Sequence, residues 1–266
     1  METTGSHLAD PGREREGAAP GPEDRRLRIP GAFNVRDLGG LPARGGAVVR
    51  SGRLLRAGEL SGLEPAGAAA LAAYGLRTVV DLRTRDEIAA RPDSLDGTGA
   101  VLHAIPLIAL PYSGIPARAV DLYTYLAESC TAETAQVVKT LAAPGALPGL
   151  FHCAVGKDRT GFVAAVLLAV LGVPDDEIVA DFIASNPELG LPAIPGVTSA
   201  AARAVQATMP VYDMLLSARN AVRADLLADA LDRVRTRHGS VAGFLRAGGV
   251  TDPELESLKA ALIDHP

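Results

Sequence analysis

Cysteine and lysine are scarce in this 266-residue chain. There are two cysteines, Cys130 and Cys153, and three lysines, Lys139, Lys157 and Lys259, among 26 lysines and arginines combined. Two cysteines exclude a disulfide framework, and a free reactive thiol favours a reducing compartment. The five histidines are scattered, with no cysteines at ligand spacing, so no metal site is indicated and no cofactor is expected. No apolar run approaches the roughly 20 residues that cross a bilayer. The longest buried-looking stretch, Phe162 to Leu171, is too short. The net charge of −5 comes without a basic stripe, which argues against a nucleic-acid partner. No internal repeat is visible.

Residues Met1 to about Arg28 are rich in Gly, Pro, Glu and Arg and have few large apolar side chains, so the segment reads as a disordered tail. Having no apolar central stretch, it does not read as a secretory signal. With 48% hydrophobic residues, 29–266 can bury a single large core. Leu60 to Tyr74 is Ala-rich and predicts a helix, Thr78 to Asp81 a central strand, and Val101 to Ile105 another strand. Helices are expected within Asp121 to Leu141, and from Asp175 onward everything reads as helical, broken at Pro187, Pro192, Pro195 and Pro210. The fold class is α/β: a central mixed sheet flanked by helices, with a helical C-terminal part.

The most informative segment is His152-Cys153-Ala154-Val155-Gly156-Lys157-Asp158-Arg159-Thr160-Gly161. Gly145 to Phe151 reads as a loop feeding a buried strand, and Phe162 to Leu171 as a buried helix stopped by Gly172 and Pro174. Cys153 then ends a strand and Arg159 starts a helix. Backbone N–H groups of Ala154, Val155, Gly156 and Lys157 and of the first helical turn can converge on one point, with the positive end of the helix dipole behind them. A phosphate dianion suits such a site. A thiol near ~8.5 falls to roughly 3.5 to 7.5 at a helix N-terminus beside cations, so Cys153 is expected to be a thiolate at neutral pH. Arg159 would hold two phosphate oxygens in its planar fork. Attack by Cys153 would give a phosphocysteine that water hydrolyses.

The pattern His-Cys, five residues, Arg-Thr-Gly resembles the signature of the protein tyrosine phosphatase superfamily. Asn34-Val35-Arg36-Asp37-Leu38-Gly39-Gly40, Arg50-Ser51-Gly52-Arg53-Leu54, Val79-Val80-Asp81-Leu82-Arg83, Ala180-Asp181-Phe182-Ile183-Ala184-Ser185-Asn186 and Arg237-His238-Gly239-Ser240-Val241-Ala242-Gly243-Phe244-Leu245 are similar to segments of its bacterial tyrosine-protein phosphatase family. The resemblance runs from about Ile29 to the C-terminus. It implies a protein tyrosine phosphatase-like fold, and a lid near Leu189 to Met214, where a mycobacterial member carries helices over its active site. Ordinary packing of an amphipathic helix is the other reading of that segment. The resemblance also leaves export without a signal peptide open beside a cytoplasmic location.

Other chemistries fit less well. A Walker A loop has four residues between its first glycine and Gly-Lys, whereas six separate Gly149 from Gly156, and Asp158 follows Lys157. A small buried cysteine in a turn would leave Lys157 and Arg159 beside it unexplained. A phosphate-binding module without turnover would retain Arg159 but usually lose Cys153 or the acid. An arsenate reductase needs further positioned cysteines, and only Cys130 is available.

Lys157 adds a second cation, as in phosphoinositide phosphatases, so the expected substrates are phosphotyrosine proteins, with phosphoserine, phosphothreonine and phosphoinositides also open. Asp158 repels an anion unless it is protonated or turned outward, which suggests a general acid. In better-known tyrosine phosphatases that acid comes from a Trp-Pro-Asp loop, and this chain has no tryptophan. The alternative is that Asp158 braces the loop by pairing with Lys157 or Arg159. Asp81, at the polar end of a strand that enters a cleft, is the second candidate acid and a substrate-binding candidate, and Arg83 is a candidate cleft-lining residue; a local pair of Asp81 with an arginine such as Arg36 is the other reading. His152 reads as a backbone brace. Thr160 can donate to the thiolate or to phosphate, or cap the helix.

Overall fold

The computed structural model describes residues 25–108, 119–188 and 223–265. Its central sheet comprises β1 (Arg36–Asp37), β3 (Leu54–Ala57), β4 (Thr78–Asp81), β5 (Val101–Ala104) and β6 (Gly149–His152), in spatial order β1-β3-β6-β4-β5. β3, β6, β4 and β5 run parallel and β1 is antiparallel to β3, so the sheet is mixed. Every residue of β3, β4 and β6 is buried, as parallel strands covered on both faces require. β5 is the edge, and all four of its residues are exposed.

The two-residue period of the strands assigns the faces. Leu55, Val79 and Leu150 pack with Ala68 and Leu71 of α1 (Pro65–Tyr74) on one side. Leu54, Val80 and Phe151 join the larger core on the other, shared with α3 (Ala119–Ser129), α4 (Thr131–Ala142) and α5 (Asp158–Val170). In α5 every residue from Arg159 to Leu168 is buried, so the helix that follows Cys153 runs through the middle of the core.

The ends of the smaller helices follow capping chemistry. The Thr84 hydroxyl accepts a bond from Glu87 N–H, and the Glu87 carboxylate accepts one from Thr84 N–H, which starts α2 (Arg85–Ala90). After α6 (Asp175–Ile183) and α7 (Ser185–Glu188) comes α8 (Ala224–His238), which packs on α3 and α6. Gly239, at φ 75°, ends α8 in the left-handed conformation, and Ser240 immediately caps α9 (Val241–Ala247). Thr251 and Glu254 form a second capping box at α10 (Asp252–Leu262). α9 and α10 cover α4.

Two sequence boundaries shift. The C-terminal part is not wholly helical: Ile263–Asp264 form β7, antiparallel to β2 (Val48–Val49), and Arg50 Nε donates to Asp264 Oδ1 at 2.8 Å. Two residues are too few to show an alternating pattern. The described residues also include 25–28, inside the segment read as tail, where Arg25 is buried on Asp181 at 3.0 Å and Leu27 N–H bonds Val35 O. The rest of that segment, 1–24, and the expected lid, 189–214, lie outside the described residues. None of the described helices is long and apolar enough to cross a membrane.

Candidate active site

Cys153 leaves the C-terminal end of the central strand β6, and Asp158 is the first residue of α5, so the intervening loop closes over the sheet's carboxyl edge. The outer side of this loop is fully engaged. Glu59 N–H donates to Ala154 O at 3.2 Å. Asn34 Nδ2 donates to Val155 O and Gly156 O at 3.0 Å each. Arg56 Nη2 reaches Gly156 O at 2.8 Å, and Gly161 N–H reaches Lys157 O at 2.8 Å. In a planar trans peptide the N–H points opposite to the C=O. With the carbonyls of Ala154 to Lys157 turned outward, the N–H groups of Val155, Gly156, Lys157 and Asp158 are directed to the inner side. That is the arrangement of a backbone anion nest at a helix N-terminus.

Gly156 is required there. Its φ is +72°, and a Cβ would stand 2.4 Å from Ala57 O at the end of β3. Asn34 also sits at positive φ, 52°, which an asparagine tolerates better than most side chains. Its Oδ1 accepts from Arg36 Nη1, so the side chain that holds the loop is itself held.

The charged groups are placed by separate elements. Arg159 forms a bidentate pair with Glu87, Nη1 to Oε2 at 2.7 Å and Nη2 to Oε1 at 2.8 Å. Glu87 Oε2 also accepts from Thr84 N–H at 2.7 Å, so the capping box of α2 sets the guanidinium's orientation. Asp158 Oδ1 accepts from the Tyr123 hydroxyl at 2.9 Å, and Oδ2 lies 3.5 Å from Lys157 Nζ. The Lys157 side chain is 2% exposed and that of Asp158 18%. Cys153 is buried, and Thr160 Oγ1 is a buried hydroxyl without a hydrogen-bond partner among the described residues.

The sequence profile of the tyrosine phosphatase family matches residues 27–264. The chain belongs to that family. It is 30% identical over 280 residues to the triple specificity protein phosphatase PtpB of Mycobacterium tuberculosis, covering 88% of this chain and 98% of that protein. It is also 30% identical over 215 residues to a tyrosine-protein phosphatase of Nostoc commune, covering 77% of this chain and 72% of the other. Membership makes the chain an enzyme of the phosphate-ester hydrolase class.

Within this tyrosine phosphatase, the structure gathers Cys153, Ala154, Val155, Gly156, Lys157, Asp158, Arg159 and Thr160 around one loop. Asp81 ends β4 directly beside His152 of β6, the residue before Cys153. Asp81 is fully buried, and both its oxygens are taken by Arg83, with contacts of 2.6 to 3.0 Å. The partner is Arg83, not Arg36. Arg36 instead grips Asp181 of α6, Nε to Oδ1 at 3.0 Å. Asp37 accepts from Gly39 N–H, Gly52 N–H and the Tyr74 hydroxyl, and so ties the N-terminal segment together.

His152 is fully buried, with Nδ1 3.3 Å from Cys153 O and Nε2 2.9 Å from Asp93 Oδ2. Burial opposes its charge, but Asp81 and Asp93 outweigh burial and raise its pKa. Ligand atoms of Asp81, Asp93 and His152 lie within 4.8 Å of one another, a spacing that could hold a metal. Arg83 already binds both aspartates, so the cation among these groups is a guanidinium. Cys130 is buried ahead of α4, and burial followed by the charge of Glu133 pushes its thiol pKa up. Sequence reasoning had missed Glu87 and Tyr123. The Thr84-x-x-Glu87 spacing was a visible signal for the cap, whereas nothing local marks Tyr123.

Proposed function

We propose that this enzyme hydrolyses phosphotyrosine and other phosphate monoesters through a phosphocysteine on Cys153. The observation that carries the reading is the outward engagement of four successive loop carbonyls, which aims the matching N–H groups at one anion position beside Cys153 and Arg159. Glu87 orients the Arg159 guanidinium, whose planar fork would meet phosphate. The Cys153 sulfur, as thiolate, attacks phosphorus and the bond to the leaving oxygen breaks. Asp158 gives its proton to that oxygen. Water then attacks the phosphocysteine, returning a proton to Asp158, and the S–P bond breaks to release inorganic phosphate. Thr160 can donate its hydroxyl to the departing sulfur.

The geometry favours Asp158 over Asp81 as the acid, because Asp81 is enclosed and bonded to Arg83 on both oxygens. Lys157 adds a second cation to the loop, which suits substrates with more than one phosphate. PtpB is named a triple specificity phosphatase, and on that similarity we extend the substrate class to phosphoserine, phosphothreonine and phosphoinositides. The free thiol fits a reducing, cytoplasmic setting.

The test is turnover of para-nitrophenyl phosphate, phosphotyrosine and phosphoserine peptides and a phosphoinositide by wild type, Cys153→Ser and Asp158→Asn. Cys153→Ser should lose at least about 10³-fold. Asp158→Asn should lose roughly 10² to 10⁴-fold on alkyl phosphates and much less on para-nitrophenyl phosphate, whose leaving group hardly needs a proton. A wild type that binds phosphate but turns over none of these would replace the catalytic reading with a binding module.

A further inference from the structure

Tyr123 lies 35 residues before Asp158 in the sequence, on α3, and puts its hydroxyl 2.9 Å from Asp158 Oδ1. We infer that Tyr123 is a positioning residue for the general acid: its hydrogen bond fixes one carboxyl oxygen and leaves the other, Oδ2, to carry and deliver the proton. The inference rests on the reading of Asp158 as the acid.

The chemistry of the donors makes the assignment. A phenol that donates to Oδ1 needs that oxygen as an acceptor, so a proton held by Asp158 resides on Oδ2. Oδ2 is also the oxygen that faces Lys157 Nζ, at 3.5 Å. The phenol remains a donor throughout an enzyme's working range, because burial and then the neighbouring Asp158 raise its pKa well above the usual value. Left to itself, an aspartate at the first position of a helix can turn its carboxylate toward the unpaired N–H groups of its own first turn. The bond from α3 competes with that rotation.

The hydroxyl itself is held in place. Tyr123 is 2% exposed, and its ring meets Phe182 of α6 edge to face, with centroids 5.9 Å apart and planes at 82°. Phe182 follows Asp181, the anchor of Arg56, and Arg56 holds the carbonyl of Gly156. The acid and the loop are thus aligned from one helix.

In the proposed first step the S–P bond forms as the P–O bond breaks, and the proton passes from Oδ2 to the leaving oxygen, leaving Asp158 ionised with Tyr123 still donating to Oδ1. The same bond stabilises that carboxylate product.

Tyr123→Phe keeps the ring and removes only the donor. Compared with wild type, it should lose about tenfold in kcat on an alkyl phosphate and less than about twofold on para-nitrophenyl phosphate, tenfold being the rate equivalent of about 1.4 kcal/mol. The alkaline limb of its pH–rate profile on the alkyl phosphate should move up by about half a unit to one unit, since a donor to the carboxylate has gone. In the Asp158→Asn background Tyr123→Phe should add less than about twofold. Equal losses on both substrates, an unmoved alkaline limb, or a full added loss in the double variant would each overturn the inference, as would no loss at all. A thermal melt of Tyr123→Phe separates a folding defect from a catalytic one. If Asp158→Asn itself spares alkyl phosphates, it is the acid assignment that fails; if Asp158→Asn is impaired and Tyr123→Phe is not, only the role of Tyr123 falls.

Discussion

Two buried ion clusters support the loop, and they are built to opposite rules. Around Asp181, three arginines meet one carboxylate among the described residues: Arg25 at 3.0 Å, Arg36 at 3.0 Å and Arg56 at 2.7 Å, a surplus of two positive charges. Around Arg83, three carboxylates converge instead. Asp81, Asp93 and Glu59 all bind it, Glu59 also binds Arg91, and a protonated His152 brings the positive charges to three as well. Among the described residues the first cluster is unbalanced, and the second is neutral when His152 is protonated. Their partners in the loop explain the difference. Arg56 of the first cluster bonds Gly156 O, on the rim of the anion nest, and interacts electrostatically with Cys153. A surplus of positive charge there is balanced when the nest holds a dianion. The second cluster meets the loop only at backbone oxygens among the described residues, His152 Nδ1 at Cys153 O and Glu59 N–H at Ala154 O, and there a brace without a net field suffices.

The surplus shows in the groups themselves. Burial, then Arg36, lowers the Arg56 pKa to about 10 against the pull of Asp181. Burial opposes the charge of Asp181, but Arg36, Arg56 and Arg25 hold its pKa well below the usual carboxylate range. Asp181→Asn therefore breaks the first cluster most severely, leaving three buried arginines without a counter-charge. We expect a loss of about 3 to 5 kcal/mol in urea unfolding. Inorganic phosphate should restore more stability to this variant than to wild type; a loss below about 1 kcal/mol would show that the arginines are balanced elsewhere. Asp93→Asn should cost less, about 2 to 3 kcal/mol, because Asp81 and Glu59 still hold Arg83 and His152 can become neutral. If the order of the two losses were reversed, the contrast between the clusters would not hold.

This contrast also separates what the sequence discloses from what it hides. The loop from Cys153 to Thr160 is legible because nucleophile, glycine, cations and helix start are contiguous. The strands Thr78 to Asp81 and Val101 to Ala104 and the helix after Arg159 are legible from their apolar runs. The segments around Arg36 and Asp181 stand out by resemblance, yet their pairing joins residues 145 apart and emerges only when α6 packs behind β1 and β3. Arg83 draws its carboxylates from Glu59, Asp81 and Asp93, three separate stretches of chain, so no local pattern shows the cluster. Arg56 lies just beyond a segment that did stand out and reads as an ordinary strand residue. Glu87 is visible as a helix cap, but not as the partner of Arg159. β7 is too short to have a period.

The smallest effect expected is a pH dependence specific to the neutral cluster. His152 faces Asp81, Asp93 and Arg83, and its pKa in the folded protein is raised above the ordinary histidine value because the two aspartates outweigh burial and the opposing charge of Arg83. A group whose pKa is higher in the folded than in the unfolded state stabilises the fold fully below its unfolded value, near ~6.5, and loses that contribution as pH rises through the folded value. Stability from this source should therefore decline as pH rises above about 6.5, each unit of difference between the folded and unfolded values being worth about 1.4 kcal/mol. Urea unfolding at several pH values checks the decline. Asp93→Asn should flatten it, because the paired carboxylate that raises the histidine is gone, and His152→Asn should flatten it further. Asp181→Asn, which acts on the other cluster, should shift the whole curve down and leave its slope in this range unchanged. A slope that survives His152→Asn would assign the pH dependence to another group and remove the argument that the second cluster is held neutral by a charged histidine.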